Sequence, residues 1–256
     1  MQKTMPEWYT HLEESNATDV ARFLTSNSCL PGPRANLELL YSFAHMSSSD
    51  IRPGSLQVLC QWADCEDTSA SEFLSMAALS ALGACYVHCS SDKQLQVLSL
   101  LKKRASDPRW RVREAVAMAF QHILEAHFET AQLIFSEWLP RATQLEMRAV
   151  LAALAHPAVL TDEKRVTFCM QVTETALAAL PDRVRGEDVR VLVQALSYVI
   201  SVFCASSPRI GFNYMRKWAE TGRPLVSRIL LKNLGKARLK QYACEIRQIQ
   251  NILRTH

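Results

Sequence analysis

The chain repeats a helical pattern every 35 to 42 residues, and this period constrains its fold more than any other feature. Six segments rich in alanine, leucine and valine recur at that interval, each with apolar residues at the spacing of one helix face. A second helical segment follows each of them, and prolines or glycines stand at most of the boundaries. One helical hairpin per period is therefore predicted. The first helices are expected within residues 34–43, 72–82, 107–120, 145–154, 188–196 and 225–234, and their partners at 53–63, 92–104, 127–139, 161–180, 208–220 and from Lys236 to about Arg254.

Glycine is too scarce for most β architectures. The 256 residues include 7 glycines and 10 prolines, fewer than the turns of a sandwich, a barrel or a doubly wound sheet require. The apolar content of 48% is enough to bury a sizeable core. The sequence therefore predicts an all-α fold in a single domain, residues 1–256. Residues 1–30 would cap its N-terminal end, residues 31–235 would form the repeats, and residues 236–256 would cap its C-terminal end.

The third hairpin carries a motif in its turn and first helix, formed by Asp107, Val112, Arg113, Ala115 and Ala119. Asp107 is expected to cap the helix, with Pro108 at its first position. The motif resembles the repeat pattern of the HEAT-repeat superfamily, whose arginine recurs as Arg148 and Arg190, and the resemblance extends over residues 33–235. It implies a right-handed α-solenoid of about six HEAT-like hairpins, with the inner helices lining a concave face. It implies no reaction.

Four arginines occupy equivalent positions in successive hairpins: Arg113, Arg148, Arg190 and Arg228. Because guanidinium groups pair well with phosphates, these side chains would be suited to a groove that holds an anionic polymer. In HEAT-like proteins, arginines at this place instead bind aspartates or helix ends between neighbouring repeats. The basic surroundings of Arg228 favour the binding interpretation at that position.

Charge is distributed unevenly along the chain. Residues 1–180 hold 15 Lys+Arg against 20 Asp+Glu, a net charge of −5, whereas residues 181–256 hold 14 against 5, a net charge of +9. Such a positive end indicates contact with nucleic acid, an acidic protein or an anionic membrane surface. Solubility alone is the other explanation for a charged end.

The predicted last helix combines an apolar stripe with a basic ridge. The stripe consists of Leu239, Tyr242, Ala243, Ile246, Ile249 and Leu253. In one continuous helix, the four cations of the ridge fall within roughly 40° of one another. They are Lys236, Lys240, Arg247 and Arg254, and Arg228 and Lys232 of the preceding helix would extend the ridge. We expect the stripe to close the end of the stack, and the ridge to be either a binding surface or an ordinary solvated face.

Trp110 and Glu114 lie four residues apart and therefore project from one face of a helix. This pair resembles, faintly, the alkylpurine DNA glycosylases built on HEAT-like repeats. In those enzymes a tryptophan and an aspartate at this spacing flank the damaged base and stabilise positive charge on the sugar. The resemblance implies catalytic roles for Trp110 and Glu114, although the carboxylate here is the longer glutamate. The same segment also fits an ordinary repeat in which Trp110 only packs at the start of a helix.

The cysteines do not form a complete metal motif. Cys85, His88 and Cys89 cluster on one helix, and Cys60 and Cys65 precede them, but no paired C-x-x-C completes a zinc set. We therefore expect buried thiols and neither a metal nor a cofactor. Because the sequence opens with Met-Gln-Lys-Thr-Met-Pro-Glu and shows no apolar secretory segment, we expect the thiols to be reduced and the location to be cytoplasmic. Phosphate-binding glycine loops and the G-x-S-x-G and H-E-x-x-H motifs are absent as well. The apolar segments 73–91 and 191–208 contain several polar side chains, which favours interior helices over membrane spans.

These observations favour a non-catalytic scaffold that recognises a macromolecule through its concave face and its basic C-terminal end. The partner would be anionic, either nucleic acid or an acidic protein, with no insertion into a membrane. The alternative is a DNA glycosylase that acts through Trp110 and Glu114. A third interpretation is a protein adaptor whose basic end only maintains solubility.

Overall fold

The computed structural model describes residues 4–6, 9–66 and 72–255. Over these residues the protein is 75% helical, with thirteen α-helices, four short 3-10 turns and no strand. The all-α prediction is thereby confirmed. The ends of the two predicted caps, residues 1–3, 7, 8 and 256, lie outside the described part of the chain.

The helices are divided between two compact units, Met1–Phe128 (unit 1) and Glu129–His256 (unit 2). The first six are α1 (Ala17–Ser26), α2 (Leu37–Ser49), α3 (Pro53–Ala63), α4 (Glu72–Cys85), α5 (Ser91–Arg104) and α6 (Trp110–Ala126). The last seven are α7 (Phe128–Trp138), α8 (Gln144–Leu154), α9 (Glu163–Ala178), α10 (Glu187–Ser206), α11 (Pro208–Ala219), α12 (Pro224–Leu234) and α13 (Ala243–Thr255). The 3-10 turns are Tyr86–His88, Leu139–Arg141, Pro157–Val159 and Ala237–Leu239.

Side-chain caps fix the starts of several helices. The Asn36 side chain accepts a hydrogen bond from the backbone N–H of Leu39, at 3.2 Å. Thr143 and Glu146 form a reciprocal capping box at the start of α8. Asp162 accepts from two backbone N–H groups in the first turn of α9, at 2.8 and 3.0 Å. Each cap satisfies N–H groups that have no partner within the helix, which sets the residue at which the helix begins.

The start of α6 differs from the prediction. The helix begins at Trp110, so Asp107 and Pro108 lie in the preceding turn and not at the cap and first position. The Asp107 carboxylate accepts from the backbone N–H and the guanidinium of Arg109, at 2.9 Å each, and from the guanidinium of Arg104 at 2.9 Å. These bonds hold the carboxylate in the turn, and its backbone partner is the N–H of the residue just before the helix.

Unit 1 is built around α4. Helices α2 and α6 pack on either side of it, and α1, α3 and α5 also contact it. Eleven of the fourteen residues of α4 are buried, among them Ser75 and Ser80. At Gly83 the helices approach so closely that an added Cβ would lie 2.4 Å from the Cα of Ala119. Only glycine permits this separation between α4 and α6.

Unit 2 has two layers of helices. The first contains α8, α10 and α12, in which α10 contacts both others, and the second contains α9, α11 and α13. Of the described helices, only α10 is long and apolar enough to cross a membrane, and half of its apolar stretch is buried against its neighbours. Burial of this kind is typical of a core helix, so the length and composition of α10 are weak evidence for a membrane span.

The C-terminal segment, predicted as one helix from Lys236 to Arg254, is broken. A 3-10 turn at Ala237–Leu239 comes first, and α13 begins at Ala243. Leu239 is fully buried, and its turn contacts α10, whereas α13 contacts α11 and α12. The bend between them lets the turn and α13 pack against different helices.

Candidate functional site

A groove runs between α10 and α12 in unit 2, and we call it the basic groove. Its first part has a volume of about 270 Å³ and is lined by Val184, Val193, Ser197, Leu225, Arg228, Ile229 and Lys232. Its second part has a volume of about 550 Å³ and is lined by Arg190, Val193, Gln194, Ser197, Tyr198, Lys232 and Lys236. The two parts share Val193, Ser197 and Lys232, so they adjoin. Four of these lining side chains are cationic, and none is a carboxylate.

The cations of the groove are weakly engaged within the protein. Over the described residues, Arg228, Lys232 and Lys236 form no ion pair, and Arg228 and Lys232 are exposed. Arg190 pairs with Glu187 one turn earlier on α10, but both side chains are more than half exposed. An exposed ion pair contributes little to stability, so an anionic ligand can replace Glu187 at small cost.

In the second layer of unit 2, by contrast, two cations of α11 are paired with acids of α9. Arg209 binds Glu163 at 2.6 Å, and Lys217 binds Glu174 at 2.6 Å. The guanidinium of Arg223 donates to two carbonyl groups at the end of α9, at 2.8 and 2.6 Å. Glu163 and Glu174 of α9 are therefore engaged by cations outside the groove, and they supply no counterion to Arg228, Lys232 or Lys236.

Asn233 fixes the spacing of the two helices that form the groove. This side chain is fully buried on α12. Its amide nitrogen donates to the carbonyl oxygens of Leu196 and Ile229, at 2.8 Å each, and its oxygen accepts from the backbone N–H of Ser201 at 2.9 Å. Two of these bonds, those with Leu196 and Ser201, join α12 to α10. Since a buried amide has few alternative partners, these bonds hold the groove at one width.

The four predicted arginines have different environments. Arg190 and Arg228 both line the basic groove. Arg113 donates instead to the carbonyl oxygens of Asp107 and Pro108, at 2.7 and 3.1 Å, and so holds the turn before α6. Arg148 lies half-buried on α8 and is not among the residues that line the groove.

The predicted basic ridge is divided by the break before α13. Lys236 lines the groove, whereas Lys240, Arg247 and Arg254 are exposed elsewhere, and the Arg247 guanidinium donates to the Ala243 carbonyl of its own helix. The alignment calculated for one continuous helix does not apply across the turn at residues 240–242. Lys236 therefore belongs with Arg228 and Lys232.

Trp110 and Glu114 lie one turn apart at the start of α6 in unit 1. The Trp110 side chain is 52% exposed, and the guanidinium of Arg111 lies 4.5 Å above its ring. Arg111 is itself held by the carboxylate of Glu72 at 3.4 Å and by the carbonyl oxygen of Gly32 at 3.1 Å. Glu114 is half-buried. An anchored cation thus covers one face of a half-exposed indole.

The eight cysteines are all free thiols. Burial raises the pKa of Cys85 and of Cys204 to about 12 each, which favours the protonated form. The Cys85 thiol donates to the Ser47 carbonyl, and the Cys89 thiol donates to the Cys85 carbonyl. Within residues 4–6, 9–66 and 72–255, no three His, Cys, Asp or Glu side chains are arranged to hold a metal ion.

Sequence reasoning missed several residues of the groove. Gln194 and Tyr198 follow Arg190 at helical spacing on α10, so extending the face of Arg190 along the helix would have found them. Asn233 is an amide in an apolar helix, but its role in joining α12 to α10 follows only from its burial and its hydrogen bonds. No protein-family model, curated protein or solved structure matches the chain.

Proposed function

We propose that the protein is a non-catalytic helical scaffold that binds an anionic macromolecule in the basic groove. Three cations carry the proposal: Arg228 and Lys232 on α12 and Lys236 just after it, none of which has a carboxylate partner within the described residues. Leaving like charges close together costs free energy, which an anionic ligand would recover. The groove lies between two helices that a buried amide holds together, so the site is formed before the ligand arrives.

We further propose that the helical pairs stack as a HEAT-like α-solenoid with α8, α10 and α12 as inner helices. The alternation of two layers in unit 2 supports this arrangement, as does the position of Arg190 and Arg228 on adjacent first-layer helices. In such a solenoid the inner helices line the concave surface, which is where these proteins present extended binding sites.

Binding assays with two matched variants test the proposed site. One variant carries Arg228→Glu, Lys232→Glu and Lys236→Glu, and the control carries the same charge change at Lys240, Arg247 and Arg254. Fluorescence anisotropy would be measured with a polyglutamate peptide, duplex DNA, single-stranded DNA and RNA, from about 50 to about 200 mM salt.

We expect at least one anionic probe to bind the wild type with marked salt dependence. The groove variant should lose this binding, and the control should retain most of it. Equal losses in both variants would show that only diffuse charge matters. No binding of any probe at low salt would also refute the proposal.

The DNA glycosylase remains the second candidate, because Trp110 is half exposed and lies one helical turn from Glu114. In the glycosylases that this pair resembles, a tryptophan and an aspartate at the same spacing flank the damaged base. Release of a methylated purine from duplex DNA by the wild type, lost in Trp110→Ala and in Glu114→Gln, would support it. Absence of base release from the wild type would exclude it.

A further inference from the structure

We infer that the ligand of the basic groove is an acidic peptide segment with one aliphatic side chain between two carboxylates. This inference rests on the proposed function and specifies its partner. It follows from the different chemistry of the two parts of the groove and from the spacing of the cations along α12.

The smaller part of the groove is an apolar pocket with a cationic rim. Val184, Val193, Leu225 and Ile229 supply its aliphatic lining. Its volume of about 270 Å³ is below the range of about 300 to 1,000 Å³ that is typical of small-molecule sites. The pocket therefore fits one inserted side chain better than a whole ligand, and its lining selects an aliphatic group.

The cations on α12 are spaced to bind alternate residues of an extended chain. Arg228 and Lys232 are four residues apart on one helix, which separates them by about 6 Å along its axis. Side chains that share one face of an extended peptide repeat at about 6.6 Å, because each residue advances about 3.3 Å. Carboxylates at positions i and i+2 of a peptide lying between the two helices can therefore bind both cations at once. The residue between them then points away from the cations of α12 and toward Val184 and Val193 on the α10 side of the pocket.

The α10 wall of the groove offers partners for a peptide backbone. Gln194 is exposed, and its amide can both donate and accept a hydrogen bond. The Ser197 hydroxyl donates to the Val193 carbonyl at 2.6 Å, so its oxygen lone pairs remain available to accept an N–H. A peptide lying along α10 has backbone N–H groups that can donate to the Ser197 oxygen, and N–H and C=O groups that can bond to the Gln194 amide.

Nucleic acid fits these features less well. Single-stranded nucleic acid is bound through aromatic side chains on which its bases stack, and Tyr198 is the one aromatic residue that lines the described groove. A sugar–phosphate backbone would satisfy the cations but leave the aliphatic pocket unfilled. The combination of an aliphatic pocket with spaced cations favours a peptide of the form acid–aliphatic–acid.

The test uses the full-length protein and a pair of fluorescein-labelled peptides of equal charge. One contains the sequence Asp-Glu-Leu-Glu-Asp between Gly-Ser linkers, and in the other serine replaces the leucine. A short oligothymidylate serves as the nucleic-acid probe. Since burying a leucine side chain is worth roughly one power of ten or more in affinity, we expect the leucine peptide to bind at least about tenfold more tightly than the serine peptide.

A substitution in the pocket separates this contribution from charge. Val184 lies in the loop before α10 and is 37% exposed, so the neutral change Val184→Ser can be introduced without disturbing the core or the charge of the groove. The matched control is Leu133→Ser, at an apolar position on α7 that is 68% exposed. We expect Val184→Ser to weaken the preference for leucine and Leu133→Ser to preserve it.

The outcomes distinguish this inference from the proposed function. Equal binding of the two peptides, lost on charge reversal in the groove, would refute the peptide inference and leave the anionic scaffold standing. Oligothymidylate that binds more tightly than the leucine peptide and displaces it would do the same. If none of the probes binds the wild type at low salt, both the inference and the proposed function fail.

Discussion

In unit 1 the side chains of Arg104 and Arg109 bind a carboxylate that is almost fully buried, whereas in unit 2 Arg228 and Lys232 face solvent with no acidic partner in the described structure. The side chains of Arg104 and Asp107 are only 5% and 1% exposed. Removing one member of such a buried pair is costly, while removing an unpaired surface charge costs little or nothing. Arg104 and Arg109 therefore serve the internal structure of unit 1, whereas the cations of the groove are available to a ligand.

The largest effect is expected from Asp107→Asn in unit 1. This change leaves two nearly buried guanidinium groups without their shared carboxylate, so the free energy of unfolding should fall by about 3 kcal/mol. Urea denaturation at pH 7 measures the loss. Labelling of Cys85 in unit 1 and of Cys204 in unit 2 during mild denaturation locates it, because both thiols are buried in the folded protein.

The matched control for this change is Asp19→Asn, which breaks an ion pair with Arg22 on the surface of α1. Both of its side chains are more than two thirds exposed, and we expect a change below about 0.5 kcal/mol. Similar losses in the two variants would contradict the distinction between buried and exposed pairs. If Asp107→Asn increased the labelling of Cys204 but not of Cys85, the loss of stability would lie in unit 2, contrary to the prediction.

The effect of Asp107→Asn should also depend on pH. Burial by itself raises the pKa of Asp107, but hydrogen bonds from the side chain and backbone of Arg109, its charge, and the bond from Arg104 together bring the pKa below its ordinary value. A carboxyl group with a lowered pKa stabilises the folded state above its unfolded pKa of about 3.9 and loses that contribution as the pH falls through the folded pKa. The difference between wild type and variant should therefore shrink at the lowest pH at which both remain folded.

A smaller effect is expected from Asn233→Ala in unit 2. The substitution removes hydrogen bonds to the carbonyl groups of Leu196 and Ile229 and to the N–H of Ser201, and it should lower the free energy of unfolding by about 1 to 3 kcal/mol. Because α10 and α12 lose their polar link, affinity for the anionic probe should fall as well. Asn251→Ala, at an exposed position on α13, is the control for both measurements. Unchanged stability in the Asn233 variant would refute its role in holding the groove.

The smallest effect, and one of opposite sign, is expected from Lys232→Ala. Like charges four residues apart on a helix repel, so removing Lys232 should relieve its repulsion with Arg228 and raise the stability by about 0.3 kcal/mol at low salt. Added salt should abolish the gain. Urea titrations of the two proteins at low and high salt measure it. A clear loss of stability would mean that Lys232 is bound within the protein and would weaken the contrast between the units.

Most of the helices could be predicted from sequence because apolar periodicity and breakers agree at their boundaries. Pro208 and Pro224 stand at the first positions of α11 and α12, and the predicted starts at these places are within one residue of the observed ones. The segment from Lys236 to Tyr242 also has helix-forming residues, and its sequence contains no glycine or proline after Gly235. The helix is nevertheless interrupted there, because the turn packs on α10 and α13 packs on α11 and α12. Local helix propensity contains no information about these contacts.

The candidate site could be predicted in part. Aligning the repeats placed Arg190 and Arg228 at equivalent points, and both line the groove. The excess of positive charge near the C-terminus indicated Lys232 and Lys236 as binding residues, and both of them also line the groove. Arg113 could not be separated from them by sequence, because its engagement with the turn at Asp107 depends on the path of the backbone. Tyr198 lies eight residues after Arg190, so following the face of Arg190 along α10 would have predicted it.

The position of α4 limits how the chain can be dissected. Five other helices of unit 1 cover it, and its sequence contains no charged residue after Glu72 that would make a bare surface soluble. Deleting α1, α2, α3, α5 or α6 would expose a strip of the aliphatic side chains of α4 to water. Boundaries of shortened versions of the protein should therefore not be placed between residues 17 and 126.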